Sequence, residues 1–171
     1  NEKQLPRHKT NFDHLEERLT QKGLDLETVV DQIGALQIAI PSWALGTGGT
    51  RFGRFPRGGE PSTLEEKIKD VGILHALNQS SGAISLHIPW DVPDDYKAIK
   101  DLANGLDIVF DAVNSNTFQD QPDSSYSYKF GSLSHIDSSV RKEAILHNKE
   151  VIDHGIQLGS KALTVWLADG T

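Results

Sequence analysis

A chain of 171 residues, 37% apolar and 24% charged, can bury one sizeable core and has too much apolar content to stay unfolded. Its net charge of −7 argues against a nucleic-acid partner, which favours a basic face. No apolar run nears the ~20 residues of a membrane span, no signal-peptide pattern opens the chain, and the absence of cysteine removes disulfides and thiolate metal sites; a cytoplasmic home fits.

Residues 1–10 are polar and read as a loose arm. Phe12, Leu15 and Leu19 then recur at helical spacing, with Gly23 to close the helix. Asp25 is an N-cap for a second helix, striped by Leu26, Val29, Val30 and Ile33 and ended by Gly34. Residues 1–34 are thus expected to form an arm and two short helices ahead of a main domain over 35–171.

That domain opens with a strand over Leu36–Ile40, which Pro41 ends because it has no N–H to donate, and Trp43 stands just past it. A glycine- and arginine-rich loop, GTGGTRFGRFPRGG, covers Gly46–Gly59. Ser62 and Glu65 read as a capping box for a helix striped by Leu64, Ile68, Val71 and Leu74, running to about Asn78. Ala83–Ile88 is the second strand, closed by Pro89 and Trp90. A shorter helix from about Asp94 to Asn104 buries Ile99, Leu102 and Ala103, and Gly105 caps it. Leu106–Val113 is the third strand and leads into a long polar loop. Asp137 caps the next helix, with Val140, Ala144, Val151 and Ile152 inward and Gly159 at its end, and Lys161–Leu167 is the fourth strand.

Striped helices alternating with apolar strands predict a parallel sheet with right-handed crossovers. Both an open doubly wound sheet and a (β/α)8 barrel accept the order. No G-x-G-x-x-G opens the helix after the first strand, which leaves the doubly wound sheet without its usual support. A barrel takes ~250 residues, so four strands make about half of one, and the halt after the fourth strand suggests a fragment of a longer enzyme.

Both architectures bind ligands beyond the carboxyl ends of their strands. Those ends carry Trp43, then His87 and Trp90, then Asn114, Asn116 and Phe118, then Trp166 and Asp169, so all three tryptophans gather on one face. An aromatic, hydrogen-bonding pocket with few charges suits a carbohydrate. His87 is the side chain there whose ordinary titration range lies near neutral pH; a histidine satisfied by a backbone carbonyl is the plain alternative. Glycines with Arg51, Arg54 and Arg57 could cradle phosphate, yet no G-x-x-x-x-G-K-[ST] is present and Glu60, Glu65 and Glu66 lie nearby. A solvated loop, or an arm docking on a neighbouring subunit through Phe52 and Phe55, fits as well. The histidines show no metal-binding spacing; His147 and His154, seven apart on one helix, are expected at its surface or edge, and Asp120 and Asp123 are expected to be solvated.

The stretches IPSWALGTGGTRFGRFP, SLHIPWD, FDAVNSNTF, YKFGSLSH and GSKALTVWLADG resemble, in order and spacing, the amino-terminal half of bacterial L-rhamnose isomerases of the broad-specificity branch. The resemblance runs from about Phe12 to Thr171. It implies the first four β-α units of a (β/α)8 TIM barrel like that of xylose isomerase, in a homotetramer that interconverts L-rhamnose and L-rhamnulose. It implies a divalent metal, typically manganese (Mn2+), whose ligands, with the catalytic lysine, are expected beyond Thr171; the hydrogen moves by hydride shift or through an enediol. By position, Trp43, His87, Phe118 and Trp166 would line the sugar pocket. His87 would be the catalytic residue that hydrogen-bonds the ring oxygen and assists ring opening, and a neighbouring subunit would contribute Phe52. Taken alone, the 171-residue chain would be inactive. A metal-dependent phosphoesterase or epimerase on the same barrel, and a non-catalytic sugar-binding domain, are the alternatives.

Overall fold

Four parallel strands pair in sequence order in the computed structural model, which describes residues 4–46, 58–121 and 123–168. The chain divides into two compact units, Asn1–Leu36 and Gln37–Thr171.

In the first unit, helix α1 spans Leu5–Gln21 and α2 spans Leu26–Gly34. Residues 5–10 are therefore helical, not a loose arm: Pro6 sits in the first turn, where its missing N–H is not needed and its fixed φ suits the helix. Asp25 caps α2, its carboxylate accepting the Thr28 N–H at 2.8 Å and the Thr28 hydroxyl at 2.9 Å.

The second unit holds β1 (Ala39–Pro41), α3 (Leu64–Asn78), β2 (Ala83–Ile88), α4 (Tyr96–Asn104), β3 (Val109–Thr117), α5 (Ser138–Leu158) and β4 (Ala162–Leu167). Each strand pairs in parallel with its predecessor in the chain. A doubly wound sheet reverses its strand order at a switch point, whereas consecutive order is that of a barrel. The fold is α/β, with the strand sequence of the first half of a (β/α)8 barrel.

Alternation along the strands separates two faces. Ile84, Leu86 and Val113 face the helices: the first two pack with Leu64, Ile68 and Val71 of α3 and Ile99 and Ala103 of α4, and Val113 packs with Val151 of α5. The partner rows His87–Asn114–Thr164 and Asn116–Trp166 run along the other face. Gly155 on α5 lets that helix close on β3, since a Cβ there would meet Val113 Cγ2 at 2.9 Å. Gly159 ends α5 at φ +85°, a conformation that costs glycine no Cβ clash.

Several boundaries differ from the sequence reading. Strand β1 starts at Ala39 because pairing begins opposite Ala83, and Pro41 is its last paired residue, opposite Ser85. Thr63, not Ser62, caps α3: its hydroxyl accepts from Glu66 N–H at 3.2 Å while the Glu66 carboxylate accepts from the Thr63 N–H at 3.2 Å. Strand β3 continues through Asn114–Thr117 because β4 pairs along that stretch, so Asn114 and Asn116 lie in the sheet. Leu74 and Ile152 are exposed, the stripes of their helices being narrower at those positions.

Candidate functional site

Four aromatic side chains, one from each strand end, surround the imidazole of His87. Trp43 lies in a one-turn 3-10 helix, Ser42–Ala44, directly after β1, and meets the imidazole edge-on at 5.3 Å between centroids. Trp90, two residues past β2, is edge-on at 4.6 Å. Phe118, just past β3, lies at 5.7 Å, and Trp166 of β4 stacks at 6.4 Å. Trp166 also closes on Trp43 at 6.4 Å and on Phe118 at 6.1 Å. The rings thus enclose one polar group, while Trp90 and Trp166 stay partly open to solvent.

His87 is 4% exposed, and its Nε2 has no hydrogen-bond partner. Burial pushes the imidazole down to about 4; the Asp91 carboxylate and a hydrogen bond to the Ser115 backbone raise it, while His147 and Lys67 lower it further. The ring is therefore neutral at pH 7, and burial removes it from the near-neutral titration range expected from residue type alone. A neutral imidazole with an unpaired, desolvated nitrogen holds unused hydrogen-bonding capacity beside apolar walls.

The polar face around it is closely tied. Asn114 donates through Nδ2 to the Leu86 carbonyl at 2.9 Å and accepts at Oδ1 from the Trp166 indole N–H at 2.9 Å. The Thr117 hydroxyl donates to the Trp166 carbonyl. One residue past the last β2–β3 partner pair, Asn116 gives its backbone N–H to His147 Nε2 at 2.9 Å. His147 is thus buried against β3 rather than on the helix surface, because it accepts an amide beyond the point where the β2–β3 pairing stops. Asp120 is likewise engaged: its carboxylate accepts the Tyr128 N–H at 2.6 Å.

Of the residues singled out in the sequence, Trp43, His87, Phe118 and Trp166 come together. Phe52 lies outside the described residues, as do Arg51, Arg54, Arg57, Phe55 and Asp169. Sequence reasoning missed Lys67, Asp91 and Ser42, which form a buried polar group behind His87. The signal was available in Lys67, which falls on the same helical stripe as Leu64, Ile68 and Val71, where an unpartnered lysine would be untenable.

A separate groove of about 480 Å³ lies between α5 and the 121–126 stretch, lined by Asp123, Ser124, Tyr126, Glu143, His147 and Glu150. Among the described residues no three His, Asp or Glu side chains gather in a form that could hold a metal ion. No helix among them is long and apolar enough to cross a membrane.

No family model matches the chain. It is 48% identical over 161 residues to a Rhizobium meliloti protein named "Probable sugar isomerase", and 47% identical over 161 residues to a Mesorhizobium japonicum protein of the same name. Each match covers 94% of this chain, and the chain spans 37% of the length of each relative.

Proposed function

We propose that this chain forms the sugar-pocket side of an aldose–ketose isomerase acting on L-rhamnose. The observation that carries the reading is the neutral, buried His87, whose unpartnered Nε2 is ringed by aromatic side chains from four consecutive strand ends. The names of the two relatives support a sugar isomerase, and the motif resemblance supports L-rhamnose as its substrate.

In this reading the rings of Trp43, Phe118 and Trp166 lie against the C–H faces and the methyl group of the sugar, excluding water. His87 stands at the ring oxygen and assists ring opening: its one proton is shared with the Ser115 backbone, so the free Nε2 takes the C1 hydroxyl proton as the C1–O5 bond opens and passes it to O5. Isomerisation then moves one hydrogen from C2 to C1 and one proton from the C2 hydroxyl to the C1 oxygen. A divalent cation such as Mn2+ would polarise the carbonyl, but the described residues offer no donor set for it. Phe52 of a neighbouring copy completing the pocket, in a homotetramer, belongs to the same proposal and is supported by the resemblance alone.

The test is incubation of the full-length protein with L-rhamnose and a panel of other aldoses, with and without Mn2+, followed by ¹³C NMR. Appearance of L-rhamnulose is expected. No conversion of any aldose in the presence of divalent cations would overturn the reading, and conversion only of other aldoses would overturn the choice of L-rhamnose.

A further inference from the structure

Two of the strand ends that form the aromatic cluster share one buried carboxylate. Asp91, 2% exposed, follows His87 by four residues. Its Oδ2 accepts the His87 backbone N–H at 2.8 Å and the hydroxyl of Ser42, which is fully buried and immediately precedes Trp43. Its Oδ1 accepts from the ammonium of Lys67 on α3 at 2.7 Å. Both oxygens are engaged, and Lys67 is 3% exposed on the face of α3 that also buries Leu64, Ile68 and Val71.

Burying such an ion pair removes two charges from water, a penalty that their attraction offsets only with good geometry, and apolar side chains of similar volume often serve stability as well. What apolar side chains could not do is hold a backbone N–H at the end of β2 and a hydroxyl just after β1 on the same carboxylate.

We propose that Asp91, anchored by Lys67, is a positioning residue that fixes the His87 main chain and the Ser42–Trp43 turn relative to one another, and so sets the spacing of the imidazole and the indole. Its significance for catalysis rests on the sugar-site reading of His87 and Trp43.

The charged and titratable groups acting on the His87 ring are Asp91, which raises its proton affinity, and Lys67 and His147, which lower it, Asp91 being the strongest of the three. The experiment follows His87 by ¹⁵N NMR against pH in histidine-labelled full-length protein, and measures kcat and KM for its aldose. Asp91→Asn should lower the His87 titration point and Lys67→Met should raise it. General loosening of the site would move both the same way, towards the ordinary histidine value. If Asp91→Asn leaves too little folded protein, the Lys67→Met/Asp91→Asn double variant, which buries no charge, replaces it and should also titrate lower. Ser42→Ala, which removes one donor only, should lower kcat/KM about tenfold, mostly in kcat, with the His87 titration near that of the native protein. Titration shifts of one sign, no shifts, or an unchanged kcat/KM in Ser42→Ala would overturn the proposal. Absence of turnover in the native protein would remove the sugar reading instead, while opposed titration shifts would still place the Asp91 and Lys67 charges beside the His87 ring.

Discussion

The indole N–H of Trp166 donates to Asn114 Oδ1 at 2.9 Å, and the same Asn114 side chain donates to the Leu86 carbonyl of β2 at 2.9 Å. One amide therefore links three strands and holds the ring that stacks on His87. Trp166 is 40% exposed and sits on the last strand of the sheet, where packing alone would leave its rotamer weakly determined.

Asn114→Ala should therefore free the indole. The expected losses are about 1–3 kcal/mol of stability, from two abandoned partners on a mostly buried face, and a rise in KM for the aldose of roughly fivefold. Trp166→Phe, which keeps an aromatic wall but no donor, should cost about 1 kcal/mol and a smaller rise in KM. Denaturant melts and steady-state kinetics on the full-length protein check both. An unchanged KM in Asn114→Ala would show that the ring needs no such hold.

Acid should weaken the fold through two buried histidines. Burial holds His87 and His147 down at about 4, with His154 lowering His147 further. Their pKa values are depressed below the unfolded value near 6.5, so the stability they contribute is fully present above pH 6.5. It is lost as pH falls from there towards 4, by about 1–3 kcal/mol for each. Protonating His147 Nε2 would also break the bond from the Asn116 N–H, although Glu143 and Glu150 on its own helix line the groove beside it. His147→Gln, which can still accept that N–H, should flatten the dependence of unfolding free energy on pH between 6.5 and 4. Equal slopes in native and variant protein would exclude His147 as a source.

The alternation of striped helices and apolar strands was enough to identify β2 to the residue and to place α5 between Asp137 and Gly159, because those elements carry strong periodicity and unambiguous caps. Strand β1 was misplaced because apolar content continues upstream through Leu36 and Ile38, and only its partner's register decides where pairing starts. The end of β3 was hidden for the opposite reason: Asn114, Ser115, Asn116 and Thr117 look like a loop, yet they are paired and buried because the polar face of this sheet serves the cluster. The four aromatic positions were legible from their place at strand ends. Of the Lys67–Asp91–Ser42 group only the burial of Lys67 was legible, from its place on an apolar stripe; its partners were not, since no local pattern brings a helix lysine to a residue 24 positions away.

Helix α5 should tolerate no side chain at Gly155. A Cβ there would lie 2.9 Å from Val113 Cγ2, and the β-branched Val113 is fixed in the cluster with Ile88 and Val151. The helical preference of alanine would favour the substitution by about 1 kcal/mol, but pushing α5 off β3 should outweigh it. Gly155→Ala is expected to destabilise by about 1–3 kcal/mol. The companion Gly155→Ala/Val113→Ala should recover part of the deficit relative to Val113→Ala alone, a coupling that a double-mutant cycle measures. Additive losses would mean that the contact is not what limits the approach.

Under the isomerase reading, His87 matters most before hydrogen transfer, while the sugar is still a ring. His87→Asn keeps a polar group of smaller reach and removes the Nε2 that faces the aromatic walls without a partner. Turnover of the cyclic aldose should fall at least tenfold, the scale expected for losing one proton-handling group. A substrate that cannot close a ring, such as a short-chain aldose, should lose much less, because the step that His87 assists is absent from its path. KM should rise for both by a similar, smaller factor, reflecting the lost hydrogen bond. Side-by-side kcat values for the two substrates decide the matter. Equal losses would assign His87 to holding the open chain during hydrogen transfer, and intact turnover of both would remove it from the reaction.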